Sequence, residues 1–152
     1  MKEVNVLNYI EKSKEIEKQI IKWRRDLHRI PEVSFETIKT RKYVEQVLDN
    51  LEIPYQSGIA NNGIVATLSK KNSDFFNTIA IRADMDGLKI EEQTGLSFSS
   101  NHKGKMHACG HDGHMAIALG AAKILSKNFR KINGNIKFIF QPAEEGPGGA
   151  KK

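Results

Sequence analysis

The sequence has 152 residues, enough for one domain and too few for several, and its 39% hydrophobic content, roughly 47% once glycine is counted, excludes disordered and collagen-like chains. Twenty-four Lys and Arg against 18 Asp and Glu leave a net charge of +6. The basic residues alternate with acidic neighbours and form no aromatic-studded stripe, so they read as solvated helix faces, not as a surface for nucleic acid or membrane. One cysteine excludes an internal disulfide framework; with no apolar leader and no run near the ~20 apolar residues of a membrane span, the expectation is a cytoplasmic protein.

Ile16, Ile20, Trp23, Leu27 and Ile30 recur at spacings of four and three, which predicts an amphipathic helix ended by Pro31. Ser34 to Glu36 resemble a helix start, and Val44, Val47, Leu48 and Leu51 supply the inward face of a second helix closing near Asn50. Ile53-Pro54-Tyr55 leaves it as extended chain. Gly63 to Leu68 and Thr78 to Arg82 are short, β-branched and bounded by turn-forming residues, hence strands, with a polar surface loop from Lys70 to Asn77 between them. Met115 to Leu125 reads as a helix able to pack closely through Gly120, Ala121 and Ala122, and Asn135 to Phe140 as a largely buried strand. The alternation of strands and helices predicts an α/β layered sheet without internal repeats.

Three segments at the ends of these elements are too polar to serve packing: Arg82 to Leu88, His107 to His114, and Gln141 to Gly146. Open α/β sheets place ligands beyond the carboxyl ends of their strands, so the three are expected to meet in one pocket. Cys109 and His111 stand two apart, and on an extended backbone they point the same way, half of a tetrahedral zinc shell. The same pair also fits a small buried thiol beside a histidine that merely hydrogen-bonds its turn. Glu144 and Glu145 put two carboxylates together in a glycine-rich loop, costly unless a cation offsets them, although an exposed acidic turn looks the same in sequence. With a cation present, one carboxylate ligates and the other takes a proton from water. Asp84 and Asp86 can ligate, hold an imidazole, or simply form a turn. Four of the five histidines, His102, His107, His111 and His114, fall within thirteen residues, a clustering that favours a site.

The segments RRDLHRIPEVSFE, IRADMDGLKIEEQTG, KMHACGHDGHMAIALGAAKIL and FIFQPAEEGPGGAKK resemble, in order, the N-terminal part of the metal-dependent amidohydrolase and carboxypeptidase family, which includes hippurate hydrolase, N-acyl-amino-acid amidohydrolase, indoleacetyl-amino-acid hydrolase and N-acetyldiaminopimelate deacetylase. The resemblance implies an α/β helix-sheet-helix fold like that of zinc exopeptidases, incomplete at its C-terminal end. It implies two divalent metal ions, zinc or manganese with cobalt or nickel also compatible, and hydrolysis of the amide bond of N-acyl amino acids by a metal-activated water. Carried over residue by residue, Cys109, His111 and Glu145 match metal ligands and Glu144 the general base. Asp86 matches an acidic residue close to the metals, Asp84 and His114 are supporting residues, and His28 is structural. Complete relatives add two later histidine ligands and a lid domain that dimerises. Residues 1–152 are therefore expected to be the N-terminal part of the dinuclear-metal catalytic domain, with the lid and the remaining catalytic segment absent. The alternative expectation is an inactive truncated chain that binds metal weakly or associates with a partner.

Overall fold

The computed structural model describes residues 6–70, 77–146 and 148–152; most of the connection expected as a loop between Lys70 and Asn77 lies outside the described residues. The helices are α1 (Val6–Glu15), α2 (Glu17–His28), α3 (Ile38–Asn50) and α4 (His111–Asn128), and the strands β1 (Tyr55–Ile59), β2 (Gly63–Leu68), β3 (Thr78–Asp84) and β4 (Asn135–Gln141). Helix α1 has no counterpart in the sequence pattern. Helix α2 carries the predicted apolar stripe, with Trp23 and Leu27 buried, but stops at His28, two residues before Ile30.

The second predicted helix starts later than the chemistry of Ser34-Phe35-Glu36 suggests, since Ser34 sits at φ 57° and the first helical residue is Ile38. The capping acceptor comes from upstream: the buried Glu32 carboxylate takes hydrogen bonds from the Thr40 backbone N–H at 2.9 Å and from the Thr40 hydroxyl at 3.1 Å. A carboxylate satisfying an otherwise orphaned first-turn N–H takes the place of a local Ser cap.

The four strands form one sheet in the order β1-β2-β4-β3, antiparallel from β1 through β4 and parallel between β4 and β3. Alternation decides the faces. Ile64, Ala66 and Leu68 of β2, Ile136, Phe138 and Phe140 of β4, and Ala83 of β3 are buried beneath the helices. Val65, Thr67, Lys137 and Ile139 point the other way and stay half-buried or exposed. The core continues into Val44 and Leu48 of α3 and Met115 and Leu119 of α4. Helix α4 approaches α2 closely because Gly120 has no side chain: a Cβ there would lie 2.8 Å from Ile20 Cδ1.

The parallel pair β3 and β4, joined across α4, sets the location of the polar segments. Asp84 pairs with Gln141 at the last rung of the ladder, so both strands end together. The N-terminus of α4 opens on the same side. At the other edge of this region β3 presents Ile79, 68% exposed, and α4 presents Ile117, 65% exposed.

Candidate metal centre

The chain leaves β3 as Asp84-Met85-Asp86 and β4 as Gln141 to Glu145, and the two run side by side because the Met85 N–H donates to the Gln141 carbonyl at 2.8 Å. Ala143, fully buried, takes φ 57°, an unfavourable value for a residue with a Cβ, and turns the chain so that Glu144 and Glu145 face the end of β3. Asp86 has no exposed surface, and its two carboxylate oxygens accept the backbone N–H groups of Glu144 at 3.0 Å and Glu145 at 3.1 Å. One buried carboxylate thus positions the pair of glutamates through their main chain.

His111 is the first residue of α4. Gly110 before it adopts φ 83°, open to glycine at little cost, so Cys109 and His111 are not on one extended stretch as their spacing suggests; a tight turn separates them. The His111 ring is buried, with Nδ1 donating to the Asp86 carbonyl at 2.8 Å and lying 3.6 Å from its carboxylate. That leaves Nε2 facing outward, 3.8 Å from Glu144 Oε2 and 3.9 Å from Glu145 Oε1. The hydrogen bond to Asp86, opposed by burial, lifts the His111 imidazole to about 9. Burial pushes the Asp86 carboxyl up, but His111 and the two backbone N–H groups outweigh it and hold it below the ordinary carboxylate value.

Donor atoms of His111, Glu144 and Glu145 all lie within 4.8 Å of one another, as do those of Asp84, His111 and His114. An imidazole nitrogen with its far nitrogen fixed by a carbonyl, set against two carboxylates, suits a divalent ion such as zinc, and the ring orientation is the one metal-ligating histidines adopt. These residues therefore fit a metal ion. Cys109 is exposed and belongs to neither cluster; its thiol hydrogen-bonds the Glu145 carboxylate, and that bond, with some burial, pushes it up to about 11. Asp84 is engaged by the Arg82 guanidinium at 2.9 and 2.6 Å and lies 3.9 Å from the exposed His114.

The histidine cluster divides. Only His111 and His114 face the acidic segments, their rings 5.4 Å apart. His102 serves a different purpose: its Nδ1 bonds the Pro31 carbonyl at 2.8 Å and its Nε2 lies 2.9 Å from Lys39 Nζ. His107 is buried with neither ring nitrogen paired among the described residues, and burial holds its imidazole down at about 4.

Behind the site runs a network that the sequence pattern does not assemble. Asp112, fully buried in the first turn of α4, accepts a hydrogen bond from Arg24 Nε at 3.1 Å and from His28 Nδ1 at 2.8 Å. The opposite nitrogen of His28 lies 3.2 Å from Glu92 Oε1. Its signal in the sequence is slight: Arg24 and His28 stand four apart, flanking the buried Leu27, where a purely amphipathic helix would carry apolar residues.

The model of Peptidase family M20/M25/M40 matches residues 80–152. N-acetyldiaminopimelate deacetylase of Halalkalibacterium halodurans is 45% identical over 90% of this chain and 36% of its own length. N-acetyl-L-cysteine deacetylase of Bacillus subtilis is 44% identical over 90% of this chain and 32% of its own. Among solved structures, a Staphylococcus aureus protein superposes with a TM-score of 0.87 at 42% identity, covering 94% of this chain and 38% of that one. A dinuclear metal binding peptidase of the M20 family from Bacillus subtilis gives a TM-score of 0.80 at 42% identity, over 87% of this chain and 37% of its own. The chain spans about a third of the length of the curated relatives it matches. The polar segments that meet at α4 all fall within the matched stretch, so the likeness to Peptidase family M20/M25/M40 covers the site as well as the fold.

Proposed function

We propose that residues 1–152 form the N-terminal part of a dinuclear-metal catalytic domain, and that the complete protein hydrolyses the amide bond of N-acyl amino acids. The observation that carries this reading is the convergence of His111 Nε2 with the carboxylates of Glu144 and Glu145, all held from behind by Asp86. The deacetylases named above act on acetylated amino acids, and this chain shares their sequence through the whole site region. In this proposal the lid and dimerisation domain and the rest of the catalytic domain lie outside this sequence, the complete protein is a cytoplasmic homo-oligomer, and nucleic acid and membranes are not partners.

His111, Glu145 and Cys109 are the groups proposed to hold metal, with Asp84 and His114 supporting them. Two divalent ions, zinc or manganese, would supply Lewis acidity that polarises the scissile carbonyl and acidifies the attacking water. Glu144, whose side chain is 40% exposed, has the freedom to work as the base. It takes a proton from the attacking water and delivers it to the departing amine nitrogen, so that one amide and one water become a carboxylic acid and an amine. Asp86 keeps this base in place by gripping the Glu144 and Glu145 main chain, and fixes which nitrogen of His111 faces the site.

A second reading rests on the open flank. Pocket space of about 470 Å³ beside Glu144, bounded by Ile81, Arg82, Asp84, His114 and Ile117, has no wall beyond the edge strand β3 among the described residues. With that flank open, the 152-residue chain alone would bind metal weakly and turn over nothing. Glu144→Gln in the complete protein tests the main reading. It is expected to lower hydrolysis of an N-acetyl or N-benzoyl amino acid by about 10²–10⁴-fold while metal content stays unchanged. Retained turnover would refute the assignment of the base, and turnover by the isolated 152-residue chain would refute the second reading.

A further inference from the structure

We propose that His28, at the C-terminal end of α2, is a positioning residue for the metal-ligand segment: a bolt that locks the loop leaving β3 to the first turn of α4. This inference rests on the metal reading above and deepens it.

The long stretch from Met85 to Gly110 carries Asp86 at one end and Cys109 at the other, contains no helix or regular strand, and runs directly into His111. Such a stretch has little intrinsic rigidity, yet a metal site needs its donors held within fractions of an ångström. The structure shows where the rigidity comes from. The residues around the end of α2 grip this loop at successive points. Glu32 carbonyl accepts from Gly87 N–H at 2.7 Å, Arg29 carbonyl from Asn101 N–H at 2.9 Å, and Pro31 carbonyl faces His102 Nδ1 at 2.8 Å.

His28 joins this loop to the first turn of α4, alongside the direct contact of Asp86 with His111 and the span of Arg24 from Phe98 to Asp112. One ring nitrogen of His28 meets Glu92, early in the loop, and the other meets Asp112, in α4 next to His111. Glu92 is itself anchored, taking the Ser100 N–H at 2.6 Å. Side-chain exposure is 3% for His28 and 0% for Asp112, so water cannot substitute for the contact between them, while Glu92 sits nearer the surface. Each ring nitrogen faces one carboxylate, so the imidazole links the two through its opposite edges. Arg24 shares the same Asp112 oxygen, Oδ2, with His28, and Oδ1 has no hydrogen-bond partner among the described residues. The Phe98 and His107 rings pack against the His28 ring, with centroids 5.5 and 6.4 Å away.

Removing this bolt leaves the Asp112 carboxylate to Arg24 and the Glu92 carboxylate to Thr94 and Ser100 of its own loop, which frees the first turn of α4 to rotate and carries His111 with it. The fold has other supports for α4, including the Met115 and Leu119 core, so the effect falls on donor geometry. Partners behind the ligands of known metal sites typically contribute 10–100-fold in affinity.

The test uses the complete protein with cobalt(II) as a spectroscopic probe and zinc by competition with a chelator. Far-UV circular dichroism is recorded on every sample. His28→Gln, which can donate to only one carboxylate, is expected to stay folded, lose at least tenfold in zinc affinity and change the cobalt d–d envelope. His28→Gln with Glu92→Gln restores a donor-to-acceptor chain from Glu92 through residue 28 to Asp112, and is expected to recover most of that affinity. Asp112→Ala cuts the same link from the α4 side and is expected to match His28→Gln, with no further loss in the double variant; it decides the matter should His28→Gln fail to fold. Zinc affinity and cobalt spectrum within twofold of the unsubstituted protein in a folded variant would overturn the positioning role, as would a loss that merely follows the unfolded fraction. If the unsubstituted complete protein binds neither ion, the metal reading itself fails, whereas binding that the variants leave unmoved overturns this inference alone.

Discussion

Asp86→Asn tests the geometry most directly, because one buried carboxylate is asked to do two things. It accepts the main-chain N–H groups of Glu144 and Glu145, and it raises the His111 imidazole to about 9. Asparagine keeps one acceptor oxygen and turns an NH₂ toward the other N–H donor, so one charge-assisted hydrogen bond is lost, about 1.5–3 kcal/mol. The His111 contribution depends on pH. Its folded value lies above the unfolded 6.5, so the stabilisation is complete below pH 6.5 and is lost as pH rises through about 9. That gap corresponds to on the order of 3 kcal/mol. The Asp86 carboxyl, held below its ordinary value, contributes above the unfolded value near 3.8 and loses that contribution as pH falls further. In chelator-treated protein, the stability difference between the unsubstituted chain and Asp86→Asn is therefore expected to be about 5 kcal/mol at pH 6 and to shrink toward about 2 kcal/mol above pH 9. Urea unfolding followed by circular dichroism measures the difference, and an NMR titration of the His111 ring gives an independent reading, with the midpoint falling toward 6.5 in the variant. A stability difference that stays constant from pH 6 to 10, or an unmoved His111 midpoint, would show that Asp86 does not govern this imidazole.

Two further expectations concern the interior. His107 is held at about 4, chiefly by burial, so the folded chain binds fewer protons than the unfolded one between pH 6.5 and 4, and stability falls across that window as pH drops, by on the order of 3 kcal/mol. His107→Leu removes the ring whose two nitrogens are unpaired among the described residues and should flatten this acid dependence in urea melts at pH 4.5 and 7; an unchanged slope would place the acid sensitivity elsewhere. Phe138 is fully buried at the centre of β4, and Phe138→Ala is expected to cost about 3–5 kcal/mol, read as a shift of the urea midpoint without a change in slope. A loss under 1 kcal/mol would mean the sheet does not rest on this residue.

Much of the scaffold is legible in the sequence because it depends on periodicity. The short β-branched run Gly63 to Leu68 and the apolar run Asn135 to Phe140 mark two strands that the structure shows with nearly those bounds. The clustering of Asp86, His111, Glu144 and Glu145 follows from their places just beyond strand and helix ends. What is not legible depends on contacts distant in sequence. Ser34 resembles a cap, but the acceptor that caps α3 is Glu32, on the far side of a turn with positive φ. The spacing of Cys109 and His111 suggests a shared extended face, whereas Gly110 at φ 83° folds the chain between them. Histidine clustering overstates the site, since His102 and His107 are drawn away by contacts 71 residues back in the chain and by the core, and no local pattern distinguishes them from His111.

Charge shows the same limit, and it bears on what the site binds. The chain carries +6 overall, yet the sum conceals a local deficit of positive charge where β3, β4 and α4 meet. Asp112 and Glu92 have Arg24 and His28 as partners, and Asp84 has Arg82. Among the described residues, the one cationic group within 4 Å of the Glu144 and Glu145 carboxylates is the His111 ring, which Asp86 already engages through its other nitrogen. Three carboxylates thus share a single imidazole. The positive end of the α4 dipole offsets part of that charge, worth at most ~2 kcal/mol in a partly buried setting. Repulsion between two adjacent carboxylates in a site of reduced dielectric is of the same order or larger. The arrangement is held together by Asp86's grip on the main chain while its side-chain charge stays uncompensated, which is the electrostatic condition for drawing in a small multivalent cation.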